Sequence, residues 1–257
     1  MAQPTIDSEN TVKSVETSFH IVEYLKDVDG ARVTEVADAL GIAKSTVHRH
    51  LVTLVEIGCV VKEGDIYDVG FRFLEFGEYA KTRKAAYAMA EEKVKELAAK
   101  TEERAQFLVE EHGQSVFVYR ETGRNAVQTD PGIGKRVPIH ASAAGKAILA
   151  HLPTEEVREI IDQHGLVALT EHTITDPDAL FAELEEIRER GYALNNQENI
   201  DSLRAVGVPV LGNNDQVIGS LSVSGPTHRF KGQYVEREIP DLLLGTANEL
   251  ELNIKYS

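Results

Sequence analysis

Four neighbouring polar side chains could read a nucleic acid. They are Lys44, Ser45, Thr46 and Arg49, within the segment VTEVADALGIAKSTVHRHLVTLVEIG. An arginine can donate two hydrogen bonds to the O6 and N7 atoms of guanine, and serine or threonine can pair with any base edge. Short side chains beside the arginine let the backbone approach the major groove closely. The segment therefore predicts binding to double-stranded DNA, with Arg49 as the best candidate for a base contact.

Two helices around a glycine turn must position these side chains. The first is predicted over about Thr34–Leu40, with Thr34 as its N-cap and Glu35 in its first turn. Gly41 ends it, because glycine enters the left-handed conformation at little cost. The second is predicted over about Lys44–Ile57. This is the pattern of a helix-turn-helix; the alternative is an ordinary helical hairpin with a solvated face, because the pattern gives false positives in single sequences.

The second helix has two distinct faces. Its predicted buried stripe has the i, i+4, i+7, i+8 spacing of an apolar helix face: Val47, Leu51, Leu54 and Val55. Most of the predicted DNA contacts lie on or near the opposite face, beside Val52: Ser45, Thr46, His48, Arg49 and Thr53. Three basic side chains complete the predicted DNA contacts: Arg32 just before the first helix, Lys44 at the start of the second helix, and Lys62 downstream. His50 could add positive charge at low pH.

The flanking segments strengthen this interpretation. A preceding helix is predicted over Ser14–Lys26, with Val15, Phe19, Val22 and Leu25 as its apolar stripe. Downstream, CVVKEGDIYDVG (Cys59–Gly70) is predicted to form a hairpin around Glu63-Gly64-Asp65. Three helices and a hairpin make a winged helix-turn-helix, in which Lys62 can reach a phosphate. Cys59 is expected to be a small buried residue at the start of the wing.

Composition limits the remaining classes. The 257 residues are enough for two domains, and 42% hydrophobic content supports buried cores. No apolar run approaches the length of a membrane-spanning helix, and the start, MAQPTIDSEN, lacks the features of a signal peptide. One cysteine allows neither an intramolecular disulfide nor a thiolate metal cluster. A cytoplasmic protein without a cofactor or a metal is expected.

The net charge of −15 is unusual for a DNA-binding protein. Residues 1–83 contain 9 basic and 14 acidic side chains, whereas a typical DNA-binding domain is basic. The position of the charges decides binding, and Lys44, Arg49 and Lys62 cluster at the proposed contact surface. A source with high internal salt would explain the acidity, since acidic surfaces keep proteins soluble there. The alternative is an ordinary acidic cytosolic protein.

The rest of the chain predicts an α+β domain. The predicted boundaries are 1–70 for the winged helix-turn-helix, 71–84 for a linker helix, and 85–257 for a C-terminal domain. That domain combines a helix over Ala85–Lys100, paired strands around His112-Gly113-Gln114, further helices, and strands that include Val206–Val210 and Val217–Ser224. An antiparallel sheet with helices packed on it is expected.

Five motifs in order resemble the IclR family of transcriptional regulators. They are SVETSFHIVEYL, LGIAKSTVHRHLVTLVEIGCV, IHASAAGKAILA, TITDPDAL with ELEEIRERGYA, and VIGSLSVSGP, and together they span nearly the whole chain. The resemblance implies a winged helix-turn-helix joined through a linker helix to a GAF-like effector-binding domain. It also implies palindromic operator DNA, a homodimer or homotetramer, and a role as repressor or activator of a catabolic or central-metabolic pathway.

The resemblance also implies where an effector binds. The start of the HASAAGKA helix would offer the backbone N–H groups of Ala143 and Ala144 to an anion, as helix N-termini generally do. Ser222 and Ser224 in SLSVSGP are two residues apart, so both hydroxyls point to one face of the sheet. Relatives place these serines toward the ligand. His140 either touches the ligand or satisfies a backbone group.

Two positions depart from the family pattern. Many members have an aspartate where this chain has Asn195, and a cysteine where it has Ala205. The first change removes charge repulsion toward an anion and adds an amide donor, and the second enlarges the pocket slightly. We therefore expect a sugar acid, an aromatic acid or another polyol-like metabolite as the effector, and not one of the small keto acids bound by well-known relatives.

The sequence leaves two other functions open. The C-terminal domain could modify a small acid, with Lys146 one helical turn after Ser142 as a nucleophile partner; a structural lysine is the alternative, because no supporting base is identifiable. No nucleophile elbow, metal-ligand cluster or phosphate loop supports an enzyme. The second alternative is an interaction module with a vestigial helix-turn-helix, which only the acidic charge favours.

Overall fold

A computed structural model describes residues 11–126 and 132–256. The first ten residues, for which no signal peptide is expected, lie outside the described residues, as do 127–131 and 257. The chain divides into two compact units, Met1–Ala80 and Lys81–Ser257. No helix in the described ranges is long and apolar enough to cross a membrane.

The first unit is a winged helix-turn-helix, as predicted. Its elements are α1 (Lys13–Val28), α2 (Val33–Leu40), α3 (Lys44–Glu56), β1 (Val60–Glu63) and β2 (Ile66–Val69), followed by α4 (Arg72–Thr82). Gly41 ends α2 with a φ of 63°, and Gly64 turns the β1–β2 hairpin with a φ of 60°. Buried side chains from all three helices and the wing form one core, which includes Leu25, Val36, Leu51 and Tyr67. Cys59 is buried beside them, as expected.

The predicted N-cap of α2 was wrong. The helix begins at Val33, so Thr34 is already helical, and Arg32 is the N-cap residue. The backbone N–H of Arg32 donates to Glu35 Oε2 at 2.6 Å. Because the glutamate satisfies this N–H, the helix start does not depend on a threonine oxygen.

The buried faces of α1 and α3 also differ in part from the prediction. Ile21 and Leu25 are completely buried in α1, whereas Val15 and Phe19 are 53% and 56% exposed. At about 100° per residue, Val15 and Phe19 point more than 100° away from Ile21. In α3 the predicted Val47, Leu51 and Leu54 are buried, but Val55 is 36% exposed in the last turn, where the chain leaves the helix.

The second unit is an α+β domain with one antiparallel sheet. Its strands are β3 (Arg104–Glu111), β4 (Gln114–Thr122), β5 (Arg136–Pro138), β6 (Ala193–Asn196), β7 (Leu203–Leu211) and β8 (Val217–Pro226). Its helices are α5 (Ala85–Thr101), α6 (Ala143–Leu149), α7 (Thr154–His164), α8 (Pro177–Arg190) and α9 (Ile239–Tyr256). The strand order is β5-β4-β3-β8-β7-β6, so strands distant in sequence lie side by side in the centre.

Alternation along β8 separates the two faces of the sheet. Leu221 and Val223 are fully buried in a core shared with α5 and α9. Ser220, Ser222 and Ser224 alternate with them and therefore point to the other face. Contacts with α6 cover part of that second face. The polar residues of the central strands thus lie between the sheet and α6.

Candidate functional site

One face of α3 presents a polar surface in the first unit, called the α3 surface. Ser45, His48, Arg49 and Thr53 are exposed, and Thr46 is partly buried. No acidic side chain in the described ranges forms an ion pair with Arg49, and the Thr53 hydroxyl donates to the Arg49 carbonyl at 3.1 Å. The first turn of α3 contains no acidic side chain. This end of the helix therefore combines free N–H groups, small hydroxyls and a cation, which suits a polyanion.

Three further predicted cations lie in the same unit. Lys44 is exposed at the first residue of α3. Arg32 is exposed, with its Nη1 atom 3.8 Å from Glu35 Oε1, so a carboxylate is already near its charge. Lys62 pairs with Tyr67 across the wing, and its Nζ lies 5.3 Å from the centre of that ring.

His50 has a structural role instead of a place on this surface. Its Nδ1 lies 2.8 Å from Ser18 Oγ, and the Ser18 hydroxyl lies 2.9 Å from the Ser14 carbonyl. Because a carbonyl only accepts, the serine hydroxyl donates to Ser14 and accepts from the imidazole N–H. The histidine thus joins α3 to α1.

A polar cavity of about 550 Å³, part of it open to solvent, lies between the sheet and α6 in the second unit. One transverse row of paired residues forms part of its floor. Arg104 pairs with Ser224, Ser224 with Ala205, and Ala205 with Asn195. The row therefore brings residues from four strands, distant in sequence, to one wall.

A second row continues the floor beneath the start of α6. Gln106 pairs with Ser222, and Ser222 pairs with Gly207. A Cβ atom at Gly207 would lie 2.6 Å from the carbonyl carbon of Ala143 and 2.7 Å from the nitrogen of Ala144. Only a glycine lets the helix start lie this close to the strand. Ser222 is 1% exposed, and its hydroxyl has no hydrogen-bond partner in the described part of the chain.

The first turn of α6 forms the facing wall. Ser142 is the N-cap, and its hydroxyl accepts from the backbone N–H of Gly145 at 3.0 Å. Ala143 and Ala144 line the cavity, and their N–H groups have no carbonyl partner within the helix. The predicted Ala143, Ala144, Ser222 and Ser224 therefore line one cavity.

The cavity is electropositive. Arg104 lines it and is only 5% exposed. Burial, and then the charge of Arg120, lower the pKa of its guanidinium to about 10, which leaves it charged at neutral pH. Among the described residues that line the cavity, none is an aspartate or a glutamate. An anion would find a cation and free N–H groups there without a repelling carboxylate.

Asn195 and Ala205 line the cavity, but the Asn195 amide is already engaged. Its Nδ2 donates to the Ala141 carbonyl at 2.6 Å, and its Oδ1 accepts from the Glu198 N–H at 3.1 Å. The donor expected for a ligand therefore holds the turn before α6 against β6. The small side chain of Ala205 leaves space above the floor.

The structure does not bring His140 to the polar cavity. Its Nε2 lies 3.1 Å from the Val167 carbonyl, and the residue lines another cavity together with His164. Lys146 is also apart: it is 1% exposed and ion-paired with Glu198 at 2.8 Å. Ser142 bonds Gly145 and not the lysine, so this geometry favours the structural alternative for Lys146.

Sequence reasoning missed several cavity residues. Arg104, Gln106, Asn199 and Arg204 line it, and none of them was predicted. Arg104 and Gln106 alternate with the buried Ala105 and Phe107, and this alternation was the available signal. Within the described ranges, no group of three or more histidine, cysteine, aspartate or glutamate residues could hold a metal ion.

Two family models match the chain. The model described as the bacterial transcriptional regulator IclR C-terminal domain matches residues 80–252. The model described as the IclR helix-turn-helix domain matches residues 14–64. These matches cover both units, including the α3 surface and the polar cavity.

Individual relatives extend over the same length. The probable HTH-type transcriptional regulator ArcR of Halobacterium salinarum is 30% identical over 95% of this chain and 94% of its own. The crystal structure of the Thermotoga maritima IclR covers 95% of this chain and 99% of its own, with 28% identity and a TM-score of 0.81. A double mutant of the PobR inducer-binding domain from Acinetobacter, in complex with 3-hydroxybenzoic acid, covers 64% of this chain and 96% of its own, with 31% identity and a TM-score of 0.59.

Proposed function

We propose, since the chain belongs to the IclR family of bacterial transcriptional regulators, that an organic acid in the polar cavity controls DNA binding by the α3 surface. The chain is a DNA-binding regulator with a C-terminal effector-binding domain. The relatives are named as regulators, and the alternative of a small-acid-modifying enzyme is set aside on that ground. The sites and the effector are our own assignments.

The observation that carries the effector assignment is the convergence of Arg104, Ser222 and the start of α6 on one cavity. A carboxylate would accept from the N–H groups of Ala143 and Ala144, and a hydroxyl would pair with the buried, unpartnered Ser222 Oγ. Arg104 would stabilise a second negative or strongly polar group at the other end of the row. A carboxylate that also carries hydroxyl groups satisfies all three.

The lining of the cavity supports a ligand with more functional groups than a two- or three-carbon keto acid. A cation, hydroxyl groups and apolar side chains on one cavity suit a sugar acid or an aromatic hydroxy acid. The PobR domain is described in complex with 3-hydroxybenzoic acid, which belongs to the second class. Leu108 and Phe117 supply apolar contact for a ring or a carbon chain. Asn195 would shape the wall without donating to the ligand.

For DNA, we assign base contacts to Arg49, Ser45 and Thr46. Phosphate contacts are assigned to Lys44, Thr53 and Lys62, with His48 and Arg32 at the edges of the surface. A homodimer or homotetramer would place two α3 helices on a palindromic operator, at half-sites about one DNA turn apart or a multiple of that. Effector binding would change their separation and hence the fit. A protein that regulates genes in this way works in the cytoplasm.

Three experiments test this proposal together. A thermal-shift screen should find stabilisation by sugar acids or aromatic hydroxy acids, whereas hits confined to glyoxylate and pyruvate would contradict the assigned class. A mobility-shift assay on the DNA upstream of the protein's own gene should then show that the hit changes the affinity. Native mass spectrometry of the complex would give the number of subunits. DNA binding that no stabilising acid alters would overturn the link between the two sites.

A further inference from the structure

The second unit contains another cavity, of about 470 Å³ with part of it open to solvent, which the proposed function does not use. Most of its wall is aliphatic, from Leu149 of α6, Ile160 of α7, Leu180 of α8, and Leu166 in the loop after α7. Its described lining residues include no aspartate, glutamate, lysine or arginine. This aliphatic cavity therefore offers no charge to an acid, in contrast to the polar cavity.

Two imidazoles supply the polar edges of the aliphatic cavity. His140 is 3% exposed, and burial lowers its pKa, so the ring is neutral at physiological pH. Because the Val167 carbonyl only accepts, Nε2 of His140 carries the proton and donates to it at 3.1 Å. This histidine nitrogen is satisfied within the protein.

His164 differs, because its Nε2 is buried without a hydrogen-bond partner in the described ranges. The ring edge lies against Gly113, where a Cβ atom would come within 2.6 Å of Nε2. Gly113 also turns the β3–β4 hairpin with a φ of 73°, and its lack of a side chain leaves room for the imidazole at this position. Buried polar atoms in proteins nearly always have a partner, and one without it calls for a water or a ligand.

We propose that the aliphatic cavity is a second ligand site, which binds a small neutral ring that carries one hydroxyl group. The ring would occupy the space between Leu149, Ile160 and Leu166, and the hydroxyl would pair with Nε2 of His164. A carboxylate is excluded because no charged group would offset its desolvation. The site does not depend on the effector assignment, because its lining residues are different.

The two cavities are joined by one stretch of chain. Ile139 and His140 line the aliphatic cavity, and Ser142 to Ala144 line the polar one. The stretch has little slack, because a Cβ at Gly145 would overlap the Ile139 carbonyl oxygen. A neutral ring bound at Ile139 therefore changes the affinity of an acid at Ala143, and by linkage the acid changes the affinity of the ring by the same factor.

The test uses phenol as the probe and benzene as its matched control, with the full-length 15N-labelled protein. Phenol should shift the amide signals of Gly113, Leu166 and Val167 saturably, and bind roughly tenfold more tightly than benzene through the added hydrogen bond. Equal affinities would overturn the role of His164. Shifts confined to Gln106, Ser222 and Ser224 would place phenol in the polar cavity and overturn the site.

Two variants complete the test. His164→Phe should abolish the preference for phenol while benzene still binds. Leu166→Phe, at a partly buried position, should fill the space and abolish binding of both molecules, which keeps the test decisive if His164→Phe does not fold. Arg124→Gln, at a side chain that is 85% exposed and lines neither cavity, is the control and should leave phenol binding unchanged. Phenol binding that survives Leu166→Phe, or an absence of saturable shifts in the unaltered protein, would refute the proposal.

Discussion

Lys146 Nζ lies 2.8 Å from Glu198 Oε2 and 3.4 Å from Glu183 Oε1, and the lysine side chain is 1% exposed. The contact ties α6 to the loop after β6, which also contributes Asn199 and Ile200 to the polar cavity. A buried charge is tolerated when an opposite charge faces it. The ion pair therefore fixes the spacing of two cavity walls.

Removal of this lysine should be costly. Lys146→Met should lower the free energy of unfolding by about 3–5 kcal/mol, because Glu198 would remain buried without a counter-charge. Urea denaturation measures the change. Lys95→Met is the control: Lys95 pairs with Glu91 at 2.8 Å, but both side chains are almost half exposed, so a much smaller change is expected. The double variant Lys146→Met with Glu198→Gln should recover part of the loss. Equal effects of the two single variants would show that the buried pair is not important for stability.

Arg104 should dominate the affinity of the polar cavity for acids. Arg104→Gln should weaken binding of the best acid from the thermal-shift screen by about 1.5–3 kcal/mol, the usual value of a hydrogen bond to a charged group. Isothermal titration calorimetry measures this. Arg124→Gln, at a side chain that is 85% exposed, is the charge-matched control and should leave the affinity unchanged. A loss of the same size in both variants would point to general electrostatics instead of a contact.

Two serines on one strand offer a matched pair. Ser222→Ala should reduce effector affinity by about 0.5–1.5 kcal/mol with little effect on stability, because its hydroxyl has no partner within the described protein. Ser220→Ala should lower the stability and leave effector affinity unchanged. The Ser220 hydroxyl donates to the Val208 carbonyl at 2.7 Å, and Ser220 does not line the cavity. Calorimetry and thermal unfolding on both variants give the comparison. Equal effects of both variants on affinity would contradict the placement of the ligand.

Base and phosphate contacts on the first unit can be distinguished. Arg49→Ala should cost about 1–3 kcal/mol on the operator and relax the preference at one base pair. Lys62→Ala should weaken all sequences alike and reduce the slope of log affinity against log salt by about 1. Fluorescence anisotropy on the upstream DNA and its single-base variants measures both. A uniform loss in Arg49→Ala would make Arg49 a phosphate contact.

The stability of the second unit should depend on pH through His140. Burial lowers its pKa, so below about pH 6.5 the unfolded chain binds a proton that the folded chain does not. The free energy of unfolding therefore falls as the pH drops through this range. His140→Gln, whose amide can still donate to Val167, should show a smaller fall in urea denaturation between about pH 7 and 5. His112→Gln, at an exposed position, should behave like the unaltered protein. An unchanged pH dependence in His140→Gln would contradict a neutral buried ring.

Local signals explain which parts of the fold were predictable. Gly41 and Gly64 indicate turns because glycine adopts a positive φ at little cost. The spacing of Val47, Leu51 and Leu54 identifies the buried face of α3 from the helical period alone. The faces of α1 were harder, because Val15 and Phe19 fit an apolar stripe equally well. Only the packing around Ile21 and Leu25 decides which stripe is buried.

The polar cavity was predictable only in part. The motif resemblance found Ser222, Ser224 and the start of α6. Arg104 was missed because its role depends on pairing with Ser224, 120 positions away, and the register of β3 and β8 cannot be read from either strand alone. The sequence led us to expect that the Asn195 amide donates to a ligand. It donates instead to the Ala141 carbonyl, 54 positions away, and this contact forms only in the folded domain.

The missing side chain at Gly207 limits how this sensor can acquire a new chemical signal. Any larger residue there would lift the start of α6 from the sheet and remove the wall that we assign to anion binding. Changes at Ala205 or Gln106 alter the space and polarity of the floor without touching that support. Attempts to retarget the regulator, in the laboratory or in evolution, therefore have room at those two positions and none at Gly207.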